Sequence, residues 1–144
     1  MLREATLLEA KEAAQLALLL WTGHTLEGFI QEMTHLIDQP DAIIILAYHD
    51  SEAIGFVQCQ LRYDYVEGTC SSPVGYLEGV YVKEVFRKQG VVKKLVNTCE
   101  NWAKKKGCHE LASDCELEHE ESLAMHLKLG FNEANRIICF KKIL

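Results

Sequence analysis

A basic, glycine-containing segment in the middle of the chain is the first candidate for chemistry. Arg87, Lys88, Lys93 and Lys94 concentrate positive charge around Gly90, although the whole chain carries a net charge of −6. The pattern here passes from a strand through a turn into a long helix, and a helix start presents unpaired N–H groups and a positive dipole end. Such a terminus binds phosphate, and glycine lets phosphate approach the backbone closely. The segment therefore predicts a phosphate site, with a solvated helix start and an incidental glycine as the alternative.

Two familiar phosphate-binding motifs do not describe this segment. No Gly-Lys-Ser/Thr follows Gly90, so the segment is not a Walker loop. The Gly-x-Gly of a dinucleotide-binding fingerprint is also missing.

Two carboxylates at the ends of predicted strands are the second candidate. Glu78 directly precedes Gly79 in an otherwise apolar strand, and Asp114 ends a short strand after the long helix. If these strands are neighbours, both acids face the helix start and supply affinity and orientation for a cationic ligand. The alternatives are an exposed carboxylate paired with lysine for Glu78 and a turn residue for Asp114.

The cysteines and histidines indicate neither a metal site nor a disulfide framework. Cys108, His109, Cys115 and His119 are close in sequence, but their spacing matches no usual zinc finger or ribbon. The six cysteines are even in number, yet the acidic start of the chain is unlike a signal peptide. We therefore expect free thiols, no metal and a cytoplasmic protein.

Size and charge narrow the class of protein. The 144 residues fit one domain spanning 1–144. A chain of this length buries enough surface to fold without disulfides or a structural metal. No apolar run reaches the roughly 20 residues of a membrane span. An excess of 21 acidic over 15 basic residues disfavours general nucleic-acid binding. We expect neither a nucleic-acid nor a membrane partner.

The hydrophobic pattern predicts one mixed α/β unit that would position these candidates. Thr6 and Glu9 form a capping box before the first helix, and Thr25 caps the second. The expected strands are 2–5, 42–48, 53–63, 74–82, 110–114 and a final pair, 131–134 and 136–143. The expected helices run from Thr6 to about residue 20, from Thr25 to before Pro40, over 86–106 and over 120–129.

The order of elements, together with two short motifs, resembles the GNAT superfamily of acetyl-CoA-dependent N-acetyltransferases. Arg87-Lys88-Gln89-Gly90-Val91-Val92 is similar to the pyrophosphate signature Gln/Arg-x-x-Gly-x-Gly/Ala, except that Val92 replaces the small last residue. Leu129-Gly130-Phe131 resembles the Leu-Gly-Phe that ends the last helix. The resemblance implies a mixed, mostly antiparallel sheet (α+β), splayed around acetyl-CoA and flanked by helices.

A closer resemblance is to the aminoglycoside 6′-N-acetyltransferases. It is carried by five blocks, which are Leu20–His24, Arg62–Gly68, Ser71–Val74, Leu77–Val82 and Leu111–Asp114. By resemblance, the drug pocket contains Trp21, Tyr65, Glu78 and Asp114. Without the resemblance, Trp21 at a helix end is more typical of a core residue, and Tyr65 of an ordinary loop aromatic. Two positions depart from the family: Asn135 stands where a drug-contacting glutamate is common, and His119 where an asparagine contacts the cofactor.

The expected reaction is direct attack of an amine on a thioester. Glu78, directly or through water, would accept the proton that the ammonium must lose. The backbone N–H of Val80 would stabilise the oxyanion. His126 stands where many superfamily members place a tyrosine that protonates the leaving thiolate; its alternative is a helix-face histidine with no role.

By resemblance, the co-substrate is acetyl-CoA and the protein is a homodimer. The expected cofactor-binding residues are Val80, Tyr81, Val82, Arg87, Lys88, Gln89, Gly90, Val91, Val92, Lys93 and His119. Two other functions stay open, which are acetylation of another polycationic amine, such as a polyamine, and a non-catalytic acyl-CoA-binding module.

Overall fold

A five-stranded sheet forms the centre of the computed structural model, which describes residues 1–144. The strand order follows the chain, β1-β2-β3-β4-β5, and the first four strands are antiparallel to their neighbours. Only β5 runs parallel to its partner β4. The expected mixed, mostly antiparallel sheet flanked by helices is confirmed.

The strands and helices agree closely with the hydrophobic pattern over most of the chain. The strands are β1 Leu2–Glu4, β2 Ala42–His49, β3 Glu52–Arg62, β4 Val74–Val82 and β5 Leu111–Ser113. The α-helices are α1 Ala10–Leu20, α2 Leu26–Ile37, α3 Val91–Lys105 and α4 Glu120–Lys128. Short 3₁₀ turns at Leu7–Glu9 and Glu84–Phe86 precede α1 and α3.

Strand β2 explains how the sheet is covered on both faces. Ile44 and Leu46 pack with α1 and α2, whereas Ile43 and Ile45 pack with Leu95 and other residues of α3. Because both faces are buried, the strand is continuously apolar instead of alternating. The helices thus form two layers, one on each side of the sheet.

The two helix caps expected from the sequence are confirmed. Thr6 and Glu9 form a reciprocal capping box, in which the N–H of Thr6 donates to the Glu9 carboxylate at 2.8 Å. The hydrogen bonds from Thr6 hold the pKa of Glu9 below its usual value. Thr25 accepts a hydrogen bond from the N–H of Gly28 at 3.1 Å and so caps α2.

Two expected elements differ in the structure. The helix expected from residue 86 begins only at Val91, because Lys88 and Gly90 have positive φ angles, which interrupt helical geometry. The pair of strands expected over 131–134 and 136–143 was wrong, since no strand follows α4. A strand needs a neighbour to pair with, and in a single chain this segment leaves Ile138, Phe140 and Ile143 exposed.

The six cysteines are all free thiols in the structure. Cys59 on β3 and Cys99 on α3 are fully buried, as their apolar settings indicate. No helix has both the length and the apolar character needed to cross a membrane.

The helical layer meets β4 where Trp21 covers Gly79. The indole of Trp21 packs against the rings of Phe29 and Phe56, with centroids 6.0 and 5.9 Å away. A Cβ on Gly79 would lie 2.4 and 2.6 Å from Cζ2 and Cη2 of that indole. Gly79 is therefore the residue that lets Trp21 lie against the backbone beside Glu78.

We expect Gly79→Ala to destabilise the fold by about 1–3 kcal/mol, as overpacking typically does. Trp21→Phe removes the six-membered ring that carries both clashing atoms, so adding Gly79→Ala to it should cost much less. Denaturant unfolding of the wild type, both single variants and the double variant measures this coupling. An equal cost of Gly79→Ala in both backgrounds would contradict the packing described.

Candidate active site

Strand β4 carries a bulge at the first predicted acid. Gln58 of β3 pairs with Gly79, but the next residue, Cys59, pairs with Leu77, so Glu78 is an extra residue without an opposite partner. A bulge bends its strand and re-aims the side chain, and bulges are frequent beside active sites. The sequence places a glutamate in an apolar strand, and the bulge explains how the strand accommodates it.

The sheet opens at the same point. Strands β4 and β5 pair from Gly75–Leu111 to Leu77–Ser113 and no further. Beyond Leu77, the β5-facing edge of β4 has no strand partner, and the two strands form a fork. Glu78 and Val80 lie on the free arm of β4, and Asp114 follows the end of β5. The prediction that the two acids belong to neighbouring strands is confirmed, but Glu78 lies within β4 and not at its end, because β4 continues to Val82.

Glu78 is held by an arginine that sequence reasoning missed. Arg62, the last residue of β3, donates from Nε to Oε1 at 3.1 Å and from Nη2 to both oxygens at 3.0 and 2.9 Å. The Glu78 side chain is only 20% exposed. The alternative given for Glu78 was a carboxylate paired with a lysine. Glu78 does form an ion pair, but its partner is an arginine. Arg62 belongs to a block shared with the family, but its cross-strand partner is Val74, so strand pairing gave no signal for its contact with Glu78.

The second acid is anchored by a tyrosine on the same strand as Glu78. The Tyr76 hydroxyl donates to Oδ2 of Asp114. Burial, followed by the hydrogen bond to Asp114, raises the pKa of Tyr76 above its usual value, so the phenol stays a donor. The Arg62 guanidinium lies 3.4 Å above the centre of the Tyr76 ring. Arg62 and Tyr76 therefore join Glu78 and Asp114 into one cluster.

Two further predicted pocket residues meet through Glu67. The Tyr65 hydroxyl donates to one Glu67 oxygen, and the Asn135 amide donates to the other at 2.8 Å. These bonds, from Asn135 first and then Tyr65, lower the pKa of Glu67. Asn135 stands where the family that the sequence resembles commonly has a glutamate. In this chain, Asn135 instead binds the carboxylate of Glu67. Glu67 was also missed, although it stands in the Tyr65–Gly68 loop.

One cleft of about 1420 Å³ gathers most of these side chains. Residues that line it include Arg62, Tyr65, Glu67, Tyr76, Asp114 and Asn135. Ser113 and His126 line the same cleft. Trp21 and Glu78 lie outside its lining, Trp21 over Gly79 and Glu78 behind Arg62. The sequence left open whether Trp21 belongs to the core or to the pocket. In the structure it packs against the core residues Phe29 and Phe56 and also covers the backbone next to Glu78.

The start of α3 has the features expected of a phosphate site. Gly90 is the N-cap residue with φ +79°, and the N–H groups from Gln89 to Lys93 have no acceptor in the protein. Nε of Arg87 donates to the carbonyl of Val82 at 2.8 Å, which ties this turn to the end of β4. Lys88 and Lys93 are exposed around these donors. Val91 and Val92 pack partly against the apolar core beneath α3.

The remaining predicted residues lie in simpler surroundings. His119 is exposed before α4, and its backbone N–H donates to the carbonyl of Glu116 at 3.0 Å. Val80, Tyr81 and Val82 continue β4 beyond the bulge. No group of three or more His, Cys, Asp or Glu side chains is arranged to hold a metal ion.

Comparison with known proteins identifies the class. Residues 11–131 match the acetyltransferase (GNAT) family model, and the chain belongs to that family. It is 46% identical over 125 residues to an aminoglycoside N(6′)-acetyltransferase type 1 of Acinetobacter genomosp. 13, covering 86% of this chain and 85% of the relative. A relative with the same name in Stenotrophomonas maltophilia is 39% identical over 141 residues, covering 97% and 91%.

Solved structures give the same class. The chain superimposes with a TM-score of 0.96 on AAC(6′)-Iy in complex with the bisubstrate analogue CoA-S-monomethyl-acetylneamine, at 34% identity and covering 100% and 98% of the two chains. Aminoglycoside 6′-N-acetyltransferase AAC(6′)-Ih from Acinetobacter baumannii matches with a TM-score of 0.95 and 39% identity, covering 100% and 98%.

Proposed function

We propose that the protein is an aminoglycoside 6′-N-acetyltransferase, which confers antibiotic resistance by transferring acetyl from acetyl-CoA to an amine of the drug. The observation that carries this proposal is the likeness to enzymes of that name along nearly the whole chain. The cleft supports it, since Glu67 and Asp114 line it and bring negative charge to the place where a polycation would bind. Glu78 is hydrogen-bonded to Arg62, which lines the same cleft.

Glu78 keeps room for the substrate although Arg62 holds it. A carboxylate offers about four lone-pair positions. Arg62 uses two on Oε1 and one on Oε2, which leaves one position on Oε2. An ammonium bound there can pass its proton to Glu78, directly or through a water molecule, and become nucleophilic.

The other pocket residues orient the substrate. Asp114 adds a second negative charge, and Tyr76 fixes its carboxylate in place. Tyr65 and Asn135, held through Glu67, offer further polar groups in the same cleft. Trp21 supplies an aromatic surface beside Glu78.

The residues around α3 fit the co-substrate, which supplies an acetyl thioester when bound. The free N–H groups from Gln89 to Lys93 would hold its pyrophosphate, aided by Arg87 and Lys88. The free arm of β4, Val80–Val82, would line the rest, and the Val80 N–H would stabilise the oxyanion. His126 is the proton source for the leaving group, and His119 is the remaining candidate for contact with the co-substrate.

The proposal extends to a homodimer in the cytoplasm. The segment 131–144 exposes Ile137, Ile138, Phe140 and Ile143 instead of packing them. Strand β5 pairs only with β4, so its other edge is free for a strand from a second copy. Six unpaired thiols suit a reducing compartment.

The Gly90 site is tested by two variants of equal shape. Asn and Asp both tolerate a positive φ, so Gly90→Asn and Gly90→Asp should fold alike. Only aspartate brings a negative charge to the point where pyrophosphate would approach. Calorimetric affinity for CoA should fall much more for Gly90→Asp than for Gly90→Asn. Equal affinities in two folded variants would remove this turn from the site.

The acidic pocket is tested by Glu78→Gln and Asp114→Asn. Loss of one charge-assisted hydrogen bond costs about 1.5–3 kcal/mol, or roughly 10- to 150-fold in substrate affinity. Glu78→Gln should lose about a further 10²-fold in turnover, whereas Asp114→Asn should act mainly on KM. Substrate affinity should also weaken as salt rises.

Steady-state kinetics with the aminoglycoside and acetyl-CoA varied separately measure these effects. Glu52→Gln is the matched control, because Glu52 forms an ion pair with Lys83 away from the cleft. Wild-type kinetics for both pocket variants would show that the amine binds elsewhere.

The dimer is tested by placing a charge in the last segment. Phe140→Asp should convert a dimer to a monomer in sedimentation velocity, because it puts a carboxylate into the proposed contact. Leu8→Asp is the matched control, since Leu8 and Phe140 are each 90% exposed. A wild-type monomer at micromolar concentration, or equal effects of both variants, would contradict the proposal.

A further inference from the structure

A serine at the end of β5 is hydrogen-bonded to the histidine of α4. Nε2 of His126 lies 2.7 Å from the Ser113 hydroxyl oxygen. Nδ1 of the same ring lies 2.6 Å from the backbone carbonyl oxygen of Ser122, one turn earlier in α4. The Phe131 ring packs edge-on against the imidazole, with centroids 5.3 Å apart. Both ring nitrogens are therefore occupied, and Ser113 is the only side chain that Nε2 contacts by hydrogen bond.

These contacts determine the tautomer of neutral His126. A carbonyl oxygen can only accept, so Nδ1 carries the hydrogen and donates it to Ser122. Nε2 of the neutral ring is then an acceptor, and the Ser113 hydroxyl must donate to it. In this state the only proton of Ser113 points at the histidine and is not available to the cleft.

Protonation of His126 reverses the bond to Ser113. An imidazolium donates from both nitrogens, so Ser113 accepts from Nε2–H and its own hydroxyl hydrogen turns elsewhere. The acceptor that the protein offers is the carbonyl of Leu77, 3.3 Å away. Leu77 and Ser113 are the last paired residues of β4 and β5. The released O–H therefore stands at the fork of the sheet, directly before Glu78.

We propose that Ser113 relays a proton from His126 to the sulfur that leaves during acetyl transfer, and this inference rests on the proposed function. As the amine nitrogen bonds to the acetyl carbon, the C–S bond breaks and sulfur keeps the electron pair. Sulfur takes the Ser113 proton, and Ser113 takes the proton on Nε2. His126 is left neutral and regains a proton from solvent, while the proton of the substrate ammonium leaves through Glu78.

The surroundings favour a relay over a nucleophilic serine. A nucleophilic Ser–His pair depends on a carboxylate that stabilises the imidazolium through Nδ1. Here Nδ1 meets a neutral carbonyl. The charged groups that line the same cleft as His126 include Asp114, which follows β5, and Glu100 and Lys104 on α3. No carboxylate lies within 4.0 Å of either ring nitrogen of His126.

The resting hydrogen bond can be observed without any turnover. In ¹⁵N-histidine NMR of the free enzyme, neutral His126 should show a protonated Nδ1 and a hydrogen-bonded, unprotonated Nε2. A His126→Gln variant assigns these resonances among the six histidines. Ser113→Ala should keep the tautomer, because the Ser122 carbonyl fixes it, but should shift the Nε2 resonance to that of a nitrogen without a donor. A protonated Nε2 in the neutral wild type would overturn the relay.

Kinetics test the transfer itself. Ser113→Ala should lower kcat about 10- to 100-fold, at or below the lower end of general-acid effects, because a thiolate leaves fairly well. In the wild type, kcat should fall at alkaline pH, since the protonated donor is then lost. Ser113→Ala should lack this alkaline fall, and Ser113→Thr, which keeps the hydroxyl, should restore both rate and profile.

The outcomes separate the relay from the reaction on which it rests. Transfer to neamine at a wild-type rate and with a wild-type pH profile in Ser113→Ala would overturn the relay alone. Acetyl found on Ser113 by mass spectrometry of quenched enzyme would also overturn it, in favour of a nucleophile. A wild-type enzyme that acetylates no aminoglycoside, despite the expected NMR spectrum, would overturn the proposed function as well.

Discussion

The bulge at Glu78 is the constraint on which the rest of the site depends. A regular strand would point alternate side chains to opposite faces and would continue its pairing with β5. The extra residue breaks the register after Cys59–Leu77 and coincides with the last β4–β5 pair at Leu77–Ser113. The extra residue therefore presents a carboxylate at the same point where the pairing of β4 with β5 ends. The residues proposed to act in the reaction, Glu78, Val80 and Ser113, all lie within this fork.

Packing around the fork keeps it in place. Trp21 lies against Gly79 on one face, where no side chain could fit between the indole and the backbone. Arg62 spans from the end of β3 to Glu78 and stacks on Tyr76, which in turn holds Asp114. On the other face, α3 packs on Val57, Cys59 and Leu77. The site is thus built from strand ends supported by two helical layers, which suits groups that must be held in fixed positions.

The sequence predicts the scaffold better than the contacts within the site. Three features depend on neighbours in sequence and were predictable. They are the apolar run of β2, the Thr6–Glu9 capping box, and the helical spacing of the buried α3 residues Leu95, Val96, Cys99 and Ala103. The partners of the acids were not predictable: Arg62 and Glu78 are 16 residues apart, and Tyr76 and Asp114 are 38 apart. Such pairs depend on strand register, which a single bulge changes. The prediction for the last segment failed for a related reason, because its alternating pattern is typical of a strand but the segment pairs with no strand of this chain.

The pairing of Arg62 with Glu78 has a consequence for which cations the cleft retains. Before any ligand arrives, a guanidinium that belongs to the protein already balances the charge of this carboxylate. A simple ion or a monoamine would have to compete with Arg62 for Glu78. Its gain in binding free energy would be only the difference between its own contact with Glu78 and the contact that Arg62 already provides. A molecule with several ammonium groups also reaches Asp114 and Glu67, where no cationic side chain is paired. On the proposed function, the site would select cations by the number and spacing of their positive charges, and small cations would compete poorly for the position at Glu78.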